Sequence, residues 1–192
     1  MTLLILGLVI FLGVHSTRVF AEDWRSAQIA RMGEKGWKAA YSVASIVGFV
    51  LLVWGYGQAR LEPVPLWTPS IGLRHLASLL TVLSFVLLAA AYVPGNGIKA
   101  RIGHPMVVGV KVWALSHLLA NHTLADLLLF GGMLVWAVLS FRAARGRDRA
   151  AGTVRAPGRA SATAVTVAVG LGAWMAFAMW LHEPLIGVRP FG

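Results

Sequence analysis

The sequence predicts an all-α integral membrane protein, a bundle of about six transmembrane helices with both termini outside the cytoplasm. Three observations carry that expectation. Of the 192 residues, 58% are hydrophobic and only 12% are charged, and mean hydropathy is +0.74. The apolar residues fall into blocks near the roughly 20 residues that a helix needs to cross hydrocarbon. The basic residues collect in alternate connections between those blocks, as expected of cytoplasmic loops. The net charge of +10 is therefore read as an orientation signal, with no nucleic acid as partner. The absence of cysteine excludes disulfides, thiolate chemistry and cysteine-ligated metal. One membrane domain over residues 1–192 leaves no room for a separate soluble catalytic domain.

The spans are expected at about 2–20, 39–58, 73–92, 105–120, 124–141 and 160–181. The first has only Thr2 between Met1 and Leu3, and its positive charges (Arg18, Arg25, Arg31, Lys35, Lys38) come after it. A secretory signal has the reverse order, so this span reads as a retained helix that starts outside. The second carries Tyr41, Ser45 and Gly48 on one face, small or hydroxyl groups that let helices approach closely. The connection after it contains Pro63, Pro65 and Pro69, with Trp67 suited to a membrane interface.

The third span opens with Arg74 and His75, which can snorkel, and Pro94-Gly95-Asn96-Gly97 stops it. The fourth starts at Pro105, a favoured first helical residue, and this puts His104 at the cap. Asn121-His122 makes a short turn, and Thr123-x-x-Asp126 matches a capping box that opens the fifth span. Residues 142–159, rich in arginine with Gly and Pro, read as a mobile loop. In the sixth span Ala164, Ala168, Gly172 and Ala176 recur every four residues, which predicts a small-residue packing face.

Connections 21–38, 94–104 and 142–159 hold twelve Lys or Arg, whereas 59–72 and 121–123 hold Arg60, with Arg74 just beyond. That asymmetry puts the first set in the cytoplasm.

Ionisable groups inside a bilayer are expensive and mark candidate sites. His15 lies about four turns into the first span. It reads as a hydrogen-bonded helix contact or as a neutral imidazole for a metal or haem iron. His117 follows Trp113 by one turn and Gly109 by two, so the glycine would leave room for a flat ligand and the tryptophan would flank it. His104 sits 13 residues before His117, on another face and about 20 Å away along an ideal axis. It suits a cap or a headgroup-level residue. Lys111 lies two turns on from His104, where it can snorkel, meet a carbonyl, or anchor a propionate or phosphate. His75, His122 and His182 fall near the outer interface. The carboxylates are too few and scattered for paired acid–base chemistry.

At these residues the chain resembles the NnrU family of bacterial membrane proteins. The matching pieces are His15-Ser16 with Arg18, Gly36-Trp37…Tyr41-Ser42…Ser45…Gly48, His104-Pro105…Gly109…Trp113-Ala114…His117, and Asp126…Phe130-Gly131…Trp136. At the turn the family pattern has Asn-Gly where this chain has Asn121-His122. The resemblance implies a multi-pass protein of the bacterial inner membrane, linked to expression of nitrite and nitric oxide reductases in denitrification. The plant zeta-carotene isomerase is similar in its His-Ser, His-Pro and later His positions, and uses haem b in a cis–trans isomerisation of a polyene. Carried over by position, its axial ligands fall on His15 and His117; Trp113 and Lys111, from their places on the fourth span, and Arg18, from the family pattern, are added as candidate cofactor-binding residues. On straight helices His104 matches His15 better in depth, and stays the alternative. A weaker resemblance links Arg101-x-x-His104-Pro105…Gly109 to isoprenylcysteine methyltransferase-type enzymes, which use S-adenosylmethionine, although the downstream carboxylate motif is missing here.

Three functions follow as expectations. The first is a haem b protein, either a haem-dependent isomerase acting on a lipid-soluble substrate or a redox component for denitrification. The second is a non-enzymatic assembly or regulatory subunit with a membrane protein partner. The third is the methyltransferase. Membrane lipid surrounds the protein in each.

Overall fold

The computed structural model describes residues 1–191, and among them the elements are helical, with no strand. In order they are α1 (Thr2–Phe20), α2 (Glu22–Ala59), α3 (Ile71–Tyr92), α4 (Gly97–Ile102), α5 (Pro105–Ala120), α6 (Leu124–Ala150) and α7 (Ala160–Ala176). A π-helical turn, Phe177–Leu181, then joins α7 to α8 (His182–Ile186). Helices α1, α2, α3 and α6, and the continuous run Ala160–Ile186, are long and apolar enough to cross a membrane; α5, with 16 residues, is apolar but shorter. The chain is thus an all-α membrane protein.

Three connections are more helical than the sequence reading expects. Residues 22–38 belong to α2, where Gly33 (φ 75°, ψ 163°) breaks the helical geometry. Only glycine adopts that φ readily, so the break falls there. The charges in this part are spaced for helix pairing: Lys38 Nζ meets Glu34 Oε1 at 2.7 Å across one turn. Residues 97–102 form α4, with Asn96 Oδ1 accepting from the Lys99 backbone N–H at 2.7 Å as an N-cap. The supposed mobile loop at 142–159 is helical as far as Ala150.

The chain divides into two compact units. The first comprises Met1–Thr68 and Asn121–Ala144. Within it α1 packs on α2 at backbone contact. A Cβ on Gly7 would land on the backbone of Leu52, and one on Gly55 on the backbone of Leu4. In lipid, where apolar side chains gain nothing by leaving solvent, such close approach is what holds helices together. The capping box at the start of α6 forms as read: Asp126 Oδ2 accepts from the Thr123 backbone N–H (2.8 Å) and hydroxyl (2.7 Å). The connection before it is tied to the proline-rich segment, with Leu66 N–H donating to His122 O and Leu124 N–H to Val64 O.

The second unit comprises Pro69–Ala120 and Arg145–Gly192. Here α3 packs on α5 and α7. Gly109 lies against Leu88 and the Ser84 carbonyl, and the Ser84 hydroxyl donates to Gly109 O at 2.9 Å. Trp174 Nε1–H donates to Thr81 Oγ1 at 2.9 Å. The packing face of α7 differs from the one expected. Thr166 and Gly170 are buried, Gly170 against Val86, whereas Ala164, Ala168 and Gly172 are exposed. A repeat of four is common to several helical stripes, and the stripe that carries a hydroxyl and a glycine is the one that meets α3.

Candidate functional site

Two of the histidines singled out in the sequence are held in the same way. His15 Nδ1 is 2.7 Å from the carbonyl of Phe11, one turn back on α1. His117 Nδ1 is 2.8 Å from the carbonyl of Trp113, one turn back on α5. A carbonyl oxygen only accepts, so each Nδ1 carries a hydrogen, and in the neutral form of either ring the lone pair falls on Nε2. The rings are half-buried.

His15 belongs to the first unit and stands in an aromatic cluster. Its ring centroid is 4.2 Å from Phe11, 5.3 Å from Tyr41 and 6.0 Å from Trp136, the last edge-on. Tyr41 and Trp136 come from α2 and α6. The shared face of Tyr41, Ser45 and Gly48 is as read, with Gly48 buried against the Phe11 backbone. Sequence reasoning passed over Phe11 and Trp136 as site residues. The signal lay in their spacing: Phe11 precedes His15 by one helical turn.

His117 belongs to the second unit. Trp113 flanks it as expected, ring to ring at 4.9 Å, and Ser116 Oγ is 3.3 Å from its Nδ1. Gly109 does not serve as ligand space. A Cβ there would meet Leu88 and the Ser84 carbonyl at 3.2 Å, so its size serves the approach of α3 to α5.

His104 is placed differently. It lies just before α5, and its Nε2 is 2.8 Å from Asp148 Oδ2. Arg155 Nη2 donates to the same oxygen at 2.6 Å. Asp148 lies past the apolar part of α6, in its arginine-rich tail, and the hydrogen bond from Arg155 holds its carboxyl below the usual range, helped by His104. Gly103, at φ 81°, leaves the space that the Arg155 guanidinium fills. Of the remaining candidates, Lys111 is half-buried on α5. Arg18 ends α1 with an exposed ion pair, Nε to Glu22 Oε2 at 3.7 Å.

Among the described residues no group of three or more His, Asp or Glu side chains gathers where a metal ion would be caged. A haem iron asks for less, one or two imidazole nitrogens.

The family model for the NnrU protein matches residues 3–190. The chain belongs to the NnrU family. No curated protein matches it, and no solved structure does. Family membership thus covers both units, and with them His15, His104 and His117. The geometry adds what a family match does not carry, namely which ring nitrogen of each histidine is committed.

Proposed function

We propose that this NnrU-family protein binds haem b in the bacterial inner membrane, with His15 and His117 as the axial-ligand candidates. The observation that carries the proposal is the pair of Nδ1–H···O=C bonds to Phe11 and Trp113. Metal-ligating histidines are commonly oriented by such a bond from the other ring nitrogen, which fixes the tautomer and raises the basicity of the ligating one. Both Nε2 atoms meet that condition in this chain. His104 is set aside as a ligand because its Nε2 bonds Asp148. The residues present fit the group: half-buried imidazoles beside aromatic rings, in a chain with no cysteine to compete as a thiolate ligand.

Bound haem b supplies an iron that exchanges one electron, or acts as a Lewis acid toward a lipid-soluble molecule. The chain's own part is to hold each imidazole in one tautomer and to keep water from it with apolar helices. On this reading the activity is isomerase-like chemistry on a lipid-soluble polyene, or redox support for the expression of nitrite and nitric oxide reductases. The two are separated by supplying a cis polyene to the reduced protein in vesicles and analysing its isomers. Conversion supports the first, and electron exchange without conversion supports the second.

The proposal is tested by the absorption spectrum of protein purified in mild detergent after expression with added haem precursor. A Soret band with sharpened bands on dithionite reduction is expected. A featureless spectrum would move the reading to a non-enzymatic assembly or regulatory subunit.

A further inference from the structure

Hydroxyls on the helices of this chain have a common local partner. Thr17, Ser78, Thr81, Ser116, Thr163 and Thr166 each donate to a carbonyl three or four residues back. This is the usual way to satisfy a hydroxyl on a helix in lipid. Ser140 does not follow it. The residue is 8% exposed, and its Oγ is buried without a hydrogen-bond partner. One turn earlier on α6 the indole Nε1–H of Trp136 is likewise buried and unpartnered. Buried donors are rarely left so, because they lose water and gain nothing. Here two of them lie four residues apart, and so share one helical face.

Their surroundings limit what they suit. The Trp136 ring meets His15 edge-on, and His15 is in ring contact with Phe11 and Tyr41. All of these residues belong to the first unit. The indole is a donor only, the serine hydroxyl donates readily, and both are neutral. A carboxylate or phosphate bound by two neutral donors in a hydrocarbon layer would remain a buried uncompensated charge, which is expensive. A carbonyl oxygen carries no charge and has two lone pairs, one for each donor. Aromatic rings beside the donors favour a flat conjugated partner through stacked or edge contacts. The spans are surrounded by lipid, so such a partner must be lipid-soluble.

We propose that Trp136 and Ser140 hold a ring carbonyl of a membrane-dissolved quinone-class molecule beside the His15 aromatic cluster. The site uses the two α6 donors and not His15 Nε2, so it stands whether or not haem is bound.

The test uses the full chain in lipid nanodiscs with decylubiquinone carrying 13C at a ring carbonyl, read by infrared difference spectroscopy. The wild type is expected to bind saturably and to shift the labelled carbonyl band to lower frequency. Trp136→Phe keeps a ring and removes the donor. It is expected to bind three- to tenfold more weakly, the range for one hydrogen bond in a membrane protein, and to return the band toward its free position. Ser140→Ala, a change too small to disturb packing, is expected to act in the same direction. Absence of saturable binding to the wild type overturns the proposal. So do unchanged affinity and band position in Ser140→Ala, even if Trp136→Phe does not fold. The Soret spectrum of the same samples reports on the haem reading separately, since neither variant removes His15 or His117.

Discussion

His104 Nε2 and Asp148 Oδ2 lie 2.8 Å apart, a bond between residues 44 positions distant in sequence. Arg155 closes on the same oxygen, so one carboxylate ties the start of α5 to the segment that follows α6. The bond commits the His104 nitrogen that a haem would need. It also anchors Asp148 and Arg155 within residues 142–159, which composition alone suggested as a mobile loop.

The clamp is expected to be structural. His104→Ala should leave any haem spectrum intact and should speed trypsin cleavage at Arg155 roughly threefold, in keeping with a partly exposed pair worth about 0.5–1 kcal/mol. The pH dependence has a definite sign. The Asp148 carboxyl is held below its ordinary 3.8 in the folded protein. Its contribution is therefore complete above that value and is lost as pH falls through the lower folded value. Protease resistance of the segment should hold from neutral pH down to about pH 4 and should be insensitive to acid in Asp148→Asn, which lacks the charge.

The approach of α1 to α2 is expected to tolerate no added methyl. Gly55→Ala places a Cβ on the Leu4 backbone and should cost about 1–3 kcal/mol. Gly57 has nothing within 4 Å of a built Cβ, so Gly57→Ala should be neutral or gain a few tenths of a kcal/mol. Thermal melts of the two variants in one detergent make the comparison.

Tyr56 donates to Asp126 Oδ1 at 2.6 Å, while Oδ2 of the same carboxylate serves the Thr123 cap. Asp126 is 5% exposed. Tyr56→Phe should cost about 1 kcal/mol and leave a buried carboxylate oxygen short of a donor. Asp126→Ala should cost more, about 2 kcal/mol, because the cap is lost as well. A melt in which the two variants are equally stable contradicts this ordering.

The arrangement of positive charge predicts that the connection at 60–69 faces away from the cytoplasm and that 151–159 faces it. A cysteine placed in each should be labelled in intact cells by an impermeant maleimide only in the first. The chain has no native cysteine to interfere.

Much of this fold was legible in hydropathy, because a bilayer imposes a length and a composition on every span. The Thr123–Asp126 box was legible as well, since both partners lie within one turn. Partners from distant segments were not. Nothing near Asp126 announces Tyr56, and nothing near His104 announces Asp148. The part of α2 before Ala39 was misread as a loop because its residues are polar. The Glu34 and Lys38 spacing is helical, but hydropathy does not register it. The stripe on α7 failed for a related reason. Ala164, Ala168 and Gly172 have the right period, but period alone does not say which face another helix covers. Of the candidate site, His15 and His117 stood out as ionisable groups in apolar runs. The fixing of their tautomers by Phe11 and Trp113 carbonyls is a backbone event that no side-chain pattern reveals.

The central claim rests on the Nε2 atoms of His15 and His117, and one set of spectra addresses it most directly. Dithionite-reduced minus oxidised spectra would be recorded for the wild type, His15→Ala, His117→Ala and His104→Ala, all expressed with haem precursor and purified in the same detergent. The account predicts a Soret band and sharp reduced bands in the wild type and in His104→Ala, with loss or a marked shift in each of the other two. Unaltered haem spectra in both His15→Ala and His117→Ala, with loss in His104→Ala, would contradict it.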